Sequence, residues 1–258
     1  MEIHHQELAD VSAYLAKNGS KTLEDKRPEY KRLMRYAGKF YPITPETRML
    51  EVGTGIGAVP ILSKLDGLNL KGLEISPQLI QHAKNWGRQF GIEPDIELAN
   101  LETVELGESC YDVIICSSVF EHVEHWEAGL AKVYRALTPG GILFWESTNK
   151  WALRSGEYPP LFFYGWMPNW MRYRFRIRVH GPDIMKLGID FHQFTYIGVR
   201  RAFRRAGFSK IYDIGDLSEI KPAHGFVKRS VLQAVKRSRI IRELFLFFFD
   251  GTTLVAVK

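Results

Sequence analysis

Two carboxylates, a glycine turn and a Glu-His pair are the residues of this chain whose types and spacing could do chemistry. Glu51 stands two residues before Gly53 in the run Met49-Leu50-Glu51-Val52-Gly53-Thr54-Gly55-Ile56-Gly57-Ala58-Val59. Glu74 closes Leu70-Lys71-Gly72-Leu73-Glu74, about twenty residues further on. Without Cβ atoms, the backbone at Gly53, Gly55 and Gly57 can take positive φ and approach a ligand closely. A carboxylate at Glu74 can accept from both hydroxyls of a ribose. Glu51 would stand near the mouth of the turn, unfavourable beside a pyrophosphate but suited to a sulfonium or ammonium cation. The glycine spacing alone has little specificity, because G-T-G-I-G-A also satisfies a relaxed dinucleotide fingerprint, and a helix-capping turn without a ligand is the bland alternative. The Glu121-His122 pair follows a second apolar run, Tyr111 to Cys116, with Ser117 and Ser118 between them.

The elements that must position these groups alternate strand and helix. Met49 to Val52 reads as a buried strand and Val59 to Leu65 as a helix. Ser76-Pro77 predicts an N-cap and first helical residue, with the helix running to about Phe90 and stopping at Gly91. Ile96 to Leu98 is a short third strand and Tyr111 to Cys116 a fourth, apolar enough to be buried on both faces. A helix over Trp126 to Leu137 and a Pro139-Gly140-Gly141 turn lead into a fifth strand, Ile142 to Glu146. Such alternation argues a mostly parallel sheet with right-handed crossovers, which places ligands at the carboxyl ends of its strands. Thr195 predicts the cap of a helix ending at Gly207, followed by a strand from Phe208 to Ile214 and a final strand from Thr252 to Val257.

In E-V-G-T-G-I-G, Glu74 at the next strand end, Y-D-V-I-I-C-S-S-V-F-E-H-V and L-T-P-G-G-I-L, the chain resembles the class I S-adenosylmethionine-dependent methyltransferases. The F-E-H-V after the fourth strand is similar to the methyltransferase-11 group, which includes the ubiquinone-biosynthesis O-methyltransferases. The resemblance covers roughly residues 30–147 and fades after Ser147. It implies an α/β, Rossmann-like sheet, mostly parallel with an antiparallel final strand, and S-adenosyl-L-methionine as cofactor. It further implies that Glu51, Gly53, Thr54, Gly55, Gly57, Glu74, Ile75, Asn100, Leu101 and Ser117 bind that cofactor. In the family an acidic residue commonly takes the place of Asn100 and accepts from the adenine amino group. An Asn carbonyl can still accept, with the backbone around Leu101 reading the base. His122 is the candidate general base, with Glu121 beside it, and the alternative for His122 is cofactor positioning or helix capping. Where the ubiquinone enzymes resemble E-x-x-E-H and are associated with a divalent cation, Ser118 replaces the first Glu. Two ligands on a short loop make a thin site, so no metal is expected. His125, His180 and His192 are secondary candidates.

The remainder divides into flanks. Residues 1–45 read as a helical lid, with Leu8, Val11, Tyr14 and Leu15 on one face up to Asn18-Gly19, and a second helix opened by Pro28. In that second helix Lys31, Arg32 and Arg35 read as a solvated face. The methyltransferase domain proper is expected over 46–258, with an insertion at about 149–193. Four of the six tryptophans lie between Trp145 and Trp170, and Arg172, Arg174, Arg176 and Arg178 alternate with aromatic and aliphatic residues. That composition suits a hydrophobic substrate tunnel, a lipid–water interface or a packed lid. Residues 226–249 read as one basic amphipathic helix that lies on an anionic membrane or covers the sheet.

Bulk properties set the frame. The 258 residues, 45% hydrophobic and 25% charged, are those of a globular chain. Cys110 and Cys116 cannot build a disulfide framework, so a reducing compartment is expected. The first residues lack a secretory signal and no apolar run reaches bilayer length, which predicts a cytoplasmic protein with an option of membrane association. The formal net charge of +6 permits anionic partners and requires none. These observations favour methyl transfer to a small, apolar or lipid-linked acceptor at oxygen, with no nucleic acid expected as partner and the oligomeric state open. The rivals are an RNA methyltransferase, a non-catalytic relative that keeps the cofactor fold, and a nicotinamide dehydrogenase. The first lacks an N-P-P-Y-type motif and the last a Tyr-x-x-x-Lys pair.

Overall fold

The computed structural model describes residues 11–154, 161–182, 192–220 and 225–258. Among them, seven strands form one sheet in the order β3-β2-β1-β4-β5-β7-β6. The strands are β1 Met49–Val52, β2 Leu70–Glu74, β3 Ile96–Leu98, β4 Tyr111–Ser117, β5 Leu137–Glu146, β6 Lys210–Asp213 and β7 Leu254–Val257. β1 to β5 pair in parallel, and β7 inserts antiparallel between β5 and β6. The strand order reverses between β1 and β4, and this is where an open α/β sheet leaves a crevice.

The apolar runs sit on both faces of the sheet. Val113 and Ile115 of β4 join Met49, Ile142, Phe144 and Val255 on one side, under Leu33, Tyr36 and Ala37. Ile114 and Cys116 point the other way, into Leu50, Leu143, Trp145, Leu130, Val199 and Phe203. A strand with period-two side chains and helices on both faces has no solvated side, which is why these runs are continuous rather than alternating.

The helices on the first face are α1 Val11–Asn18, α2 Leu23–Ala37, α3 Ala58–Leu65 and α4 Pro77–Arg88. Ser76 caps α4 by accepting from the Leu79 N–H, with Pro77 first in the helix, as expected. α2 differs from expectation: it opens at Leu23, behind a capping box in which the Thr22 hydroxyl accepts from the Asp25 N–H and Asp25 accepts from the Thr22 N–H. Two satisfied end donors outweigh the one lost at Pro28, which lies inside the helix. Arg32 also departs from the solvated face assigned to it, reaching Glu146 through two bonds of 2.8 Å. Leu8 lies outside the described residues.

On the other face are α5 Trp126–Ala136 and α7 Tyr196–Ala206, capped by Thr195 and ended by Gly207. β5 begins at Leu137, so Pro139-Gly140-Gly141 forms a register shift within the strand instead of a turn before it. β6 stops at Asp213, because that side chain caps the short helix α8 Ile214–Leu217. α6 Asn169–His180 follows Pro168. The expected single helix over 226–249 is two, α9 Phe226–Arg237 and α10 Arg239–Phe248. Ser238 divides them by accepting from the Ile241 N–H as the cap of α10.

Candidate active site

β1 and β2 end side by side, with Val52 opposite Leu73, and this register places Glu51 and Glu74 at the same crevice. Gly53, Gly55 and Gly57 all have positive φ, of 72°, 55° and 81°. They divide the work. A Cβ on Gly57 would overlap the Ala83 methyl of α4, so this glycine lets two helices approach. A Cβ on Gly55 would stand 2.6 Å from the Tyr14 hydroxyl, so the turn here faces a side chain delivered by α1.

Glu51 is 6% exposed, and its Oε2 is buried with no hydrogen-bond partner among the described residues. Burial, and then the nearby Glu29 and Glu74 carboxylates, hold its carboxyl well above the ordinary range, with Lys26 opposing. The Thr54 hydroxyl of the turn is likewise buried and without a hydrogen-bond partner among the described residues. Glu74 is fixed differently. It accepts from the Gly55 N–H at 2.8 Å, Ile75 N–H at 2.9 Å and Ser76 N–H at 3.1 Å. Burial raises its carboxyl, and these three donors partly offset that. A carboxylate offers about four acceptor sites, so Glu74 has room for one ribose hydroxyl while the three backbone donors stay in place. Holding both requires one donor to be shared. The Tyr14 phenol over the turn is pushed up to about 12, by burial first and then by Glu74, Glu29 and Glu51.

Asn100 and Leu101 follow β3. The Asn100 Oδ1 accepts from the Glu102 N–H at 2.9 Å, so one of its acceptor sites serves a local turn. Leu101 is buried, and the carbon that Gly129 lacks would touch it. At the end of β4, Ser117 donates to Glu146 at 3.2 Å. Ser118 has φ of 55°, a left-handed conformation for a non-glycine residue at the carboxyl edge of the sheet. Glu121 and His122 lie in the following 3-10 turn, Phe120–His122. Glu121 is buried, accepts from the Ser147 hydroxyl at 2.9 Å, and through its carbonyl accepts from the His192 N–H. The His192 ring bonds the Glu124 carbonyl at 2.8 Å, and His125 precedes α5, its N–H donating to Glu102. These bonds make both residues structural in their described contacts. The His180 side chain lies outside the described residues. No group of three or more His, Cys, Asp or Glu among the described residues is arranged to hold a metal ion.

Three residues of this edge were not singled out by their sequence. Glu146 receives Arg32, Ser117 and Thr253, tying α2, β4 and the approach to β7 to one carboxylate. Its position at a strand end in W-E-S-T was the available signal. Tyr14 was legible only as a helix-face residue, and Ser118 only as a missing Glu.

Donor set and shape together fit a ligand with a cationic centre and a nucleoside hydroxyl. An unsatisfied buried carboxylate asks for positive charge, an anchored one stands ready for a hydroxyl, and the turn leaves room for close approach. Comparisons with known proteins agree. Residues 50–145 match the family model described as "Methyltransferase domain". A stretch of 124 residues, 46% of this chain, is 27% identical to the mitochondrial ubiquinone biosynthesis O-methyltransferase of Mus musculus, covering 34% of that protein. A stretch of 202 residues, 72% of the chain, is 29% identical to highly reducing polyketide synthase 40 of Fusarium mangiferae, covering 7% of it. The chain therefore spans well under two thirds of these relatives. The fold is shared with a SAM dependent methyltransferase from Archaeoglobus fulgidus, at TM-score 0.57 and 15% identity over 96% of this chain and 100% of that one. Residues 50–145 thus form a methyltransferase domain, and the strand order and crevice are those of the class I S-adenosylmethionine-dependent methyltransferase fold.

Proposed function

We propose that the chain transfers a methyl group from S-adenosyl-L-methionine to an oxygen of a small, apolar or lipid-linked acceptor. The observation that carries the donor half is Glu51: buried, unsatisfied at Oε2, and crowded by Glu29 and Glu74. A nicotinamide dinucleotide would bring a pyrophosphate to this negative turn, whereas a sulfonium and an ammonium relieve the crowding. When bound, the cofactor supplies an electrophilic methyl that leaves a neutral thioether after an in-line displacement. In this reading the chain holds the two partners in line and accepts the proton that the acceptor hydroxyl gives up. His122, on the turn beyond β4, takes that proton. Glu121 acts through its neighbours: anchored by Ser147, it sets the turn that carries His122 and is a positioning residue.

The acceptor half draws support from the aromatic residues after β5. Trp151 stacks on Phe247 and meets Trp166 edge-on, while Trp166 stacks on Phe248. The name of the mouse relative is that of an O-methyltransferase of ubiquinone biosynthesis, and an apolar wall of this kind suits an apolar acceptor. Titration calorimetry with S-adenosylhomocysteine and with NADH tests the donor. Micromolar binding of S-adenosylhomocysteine and none of NADH is expected, and the reverse removes the proposal. Mass spectrometry of a cell extract incubated with labelled-methyl donor then identifies the acceptor. His122→Ala is expected to keep S-adenosylhomocysteine affinity and lose roughly a hundredfold or more in turnover. Unchanged turnover would discard His122 as the base.

A further inference from the structure

The outward face of α10 is aliphatic. Ile240, Leu244 and Phe248 fall in one i, i+4 row with Ile241 beside it, and Ile240 and Leu244 are 74% and 57% exposed. The inward face holds buried Leu246 and the Arg242 guanidinium, which pairs with Asp213 and Asp216. With Leu246 and Phe245 packed on the core, this outward row is a second apolar face, where a surface helix ordinarily carries only one. The row does not end with the helix. Phe248 stacks on Trp166, Trp166 meets Phe163 edge-on at 5.4 Å, and Phe163 bonds Leu153 through the backbone. Leu153, Phe162, Phe163 and Trp166 are all exposed, so one apolar strip runs from the start of α10 into the insertion.

Cations are concentrated on α9 and at the start of α10. Residues 226–249 hold six basic side chains and one acidic one, Glu243, which pairs with Arg200. Lys228, Arg229, Lys236, Arg237 and Arg239 are exposed and form no ion pair among the described residues. At the start of α9, Phe226 and Val227 are exposed just ahead of Lys228 and Arg229. Exposed aliphatic residues that follow exposed lysine and arginine, without ion pairs among the described residues, match the layering of an anionic bilayer surface, with acyl chains below and phosphates above. A nucleic acid would use the cations and leave Ile240, Ile241 and Leu244 nothing to stack on. No helix among the described residues is long and apolar enough to cross a membrane, so attachment would be interfacial.

We propose that α9, α10 and the strip through Trp166 dock the protein on an anionic lipid surface. The docking face adjoins the site. Asn149, just past β5, donates to the carbonyls of Leu246, Phe247 and Phe249, fixing the end of α10 to the edge where Ser147 holds Glu121. An acceptor dissolved in the bilayer would thus leave it beside the turn that carries His122. The docking itself is independent of the methyl-transfer reading, and its test needs no turnover.

Flotation of the full chain with vesicles of phosphatidylcholine, alone or equimolar with phosphatidylglycerol, decides the matter. The parent is expected to float with the anionic vesicles at low salt and weakly with the neutral ones. Ile240→Glu with Leu244→Glu should lower partitioning about tenfold or more on both, and the milder Ile240→Ser with Leu244→Ser should lower it in the same order. Arg237→Glu with Arg239→Glu should lower it about tenfold on anionic vesicles only, erasing the preference. A parent that stays unbound at low salt overturns the proposal, as do aliphatic variants that float like the parent. A parent dimer that the aliphatic variants turn into monomer, seen by sedimentation velocity, would assign the face to a second copy and overturn it equally.

Discussion

The crevice between β1 and β4 and the surface of α10 treat polarity in opposite ways. At the crevice, apolar runs are fully inside and the exceptions are carboxylates, Glu51 and Glu74, held where water cannot compensate them. On α10, the exceptions are Ile240, Ile241 and Leu244, held where water must cover them. A buried polar group without a partner costs more than almost any other local feature, and an exposed aliphatic side chain costs little to stability. The crevice is therefore constrained by folding and by a small ligand together, while the α10 face answers to an external surface. Substitutions should separate the two regions cleanly.

The largest effect belongs to Gly57. An alanine there must adopt φ near 81° and push its methyl into that of Ala83, where α3 meets α4. Strain and overpacking together should remove about 3 kcal/mol of stability, read from urea unfolding. A loss under about 1 kcal/mol would mean that the helices part easily, and the crevice would no longer count as the rigid region.

Glu51→Gln should come next, and its sign is opposite. Because burial and two carboxylate neighbours raise the folded-state value above the unfolded one, both states hold the proton at low pH. As pH rises through the folded value, the unfolded chain has already released the proton that the folded chain keeps, so stability falls. The amide should flatten that decline and gain about 1–3 kcal/mol at pH 8, leaving the smaller slope due to Glu74. It should also weaken binding of a cationic cofactor. Parent binding should release protons, visible as a dependence of calorimetric heat on buffer ionisation. Heat independent of buffer would break the assignment of Glu51 to the cationic centre.

Much of the crevice could be read from the chain because its signals are local. A strand, a glycine turn and a helix within 49–65 must lie together, and Glu74 follows from the next strand end. The parts that could not be read join distant residues. Tyr14 meets Gly55, and Arg32 meets Glu146 across more than a hundred positions, with nothing local to announce either. The α9–α10 break escaped for another reason. Ser238 sits in a basic run whose composition fits one helix, and only its cap geometry shows that the chain turns there. The outward direction of the aliphatic row depended on that break.

Glu146 tests the edge of the crevice at the end of β5, since it gathers Arg32, Ser117 and Thr253 from three elements. The ion pair is partly exposed, 32% and 23% for the two side chains, so solvent screens it. Glu146→Gln keeps the shape and loses the charge, and should cost about 1 kcal/mol in thermal or urea unfolding. A cost near that of Gly57→Ala would show that the edge at the end of β5 is as tightly built as the glycine turn.

Ile240→Glu should have the smallest effect on folding, within about 0.5 kcal/mol. The side chain is 74% exposed and lies opposite the buried Leu246 on its helix, so no core contact is lost. A glutamate in the first turn of α10 also faces the positive end of the helix dipole, which favours it. By stability alone, a charged residue is as good here as isoleucine or better. A destabilisation above about 1 kcal/mol would show that Ile240 packs against part of this chain, and the contrast with the crevice would fail. A neutral or positive change would leave the aliphatic row with no role in folding, and its reason would have to lie in what the surface touches.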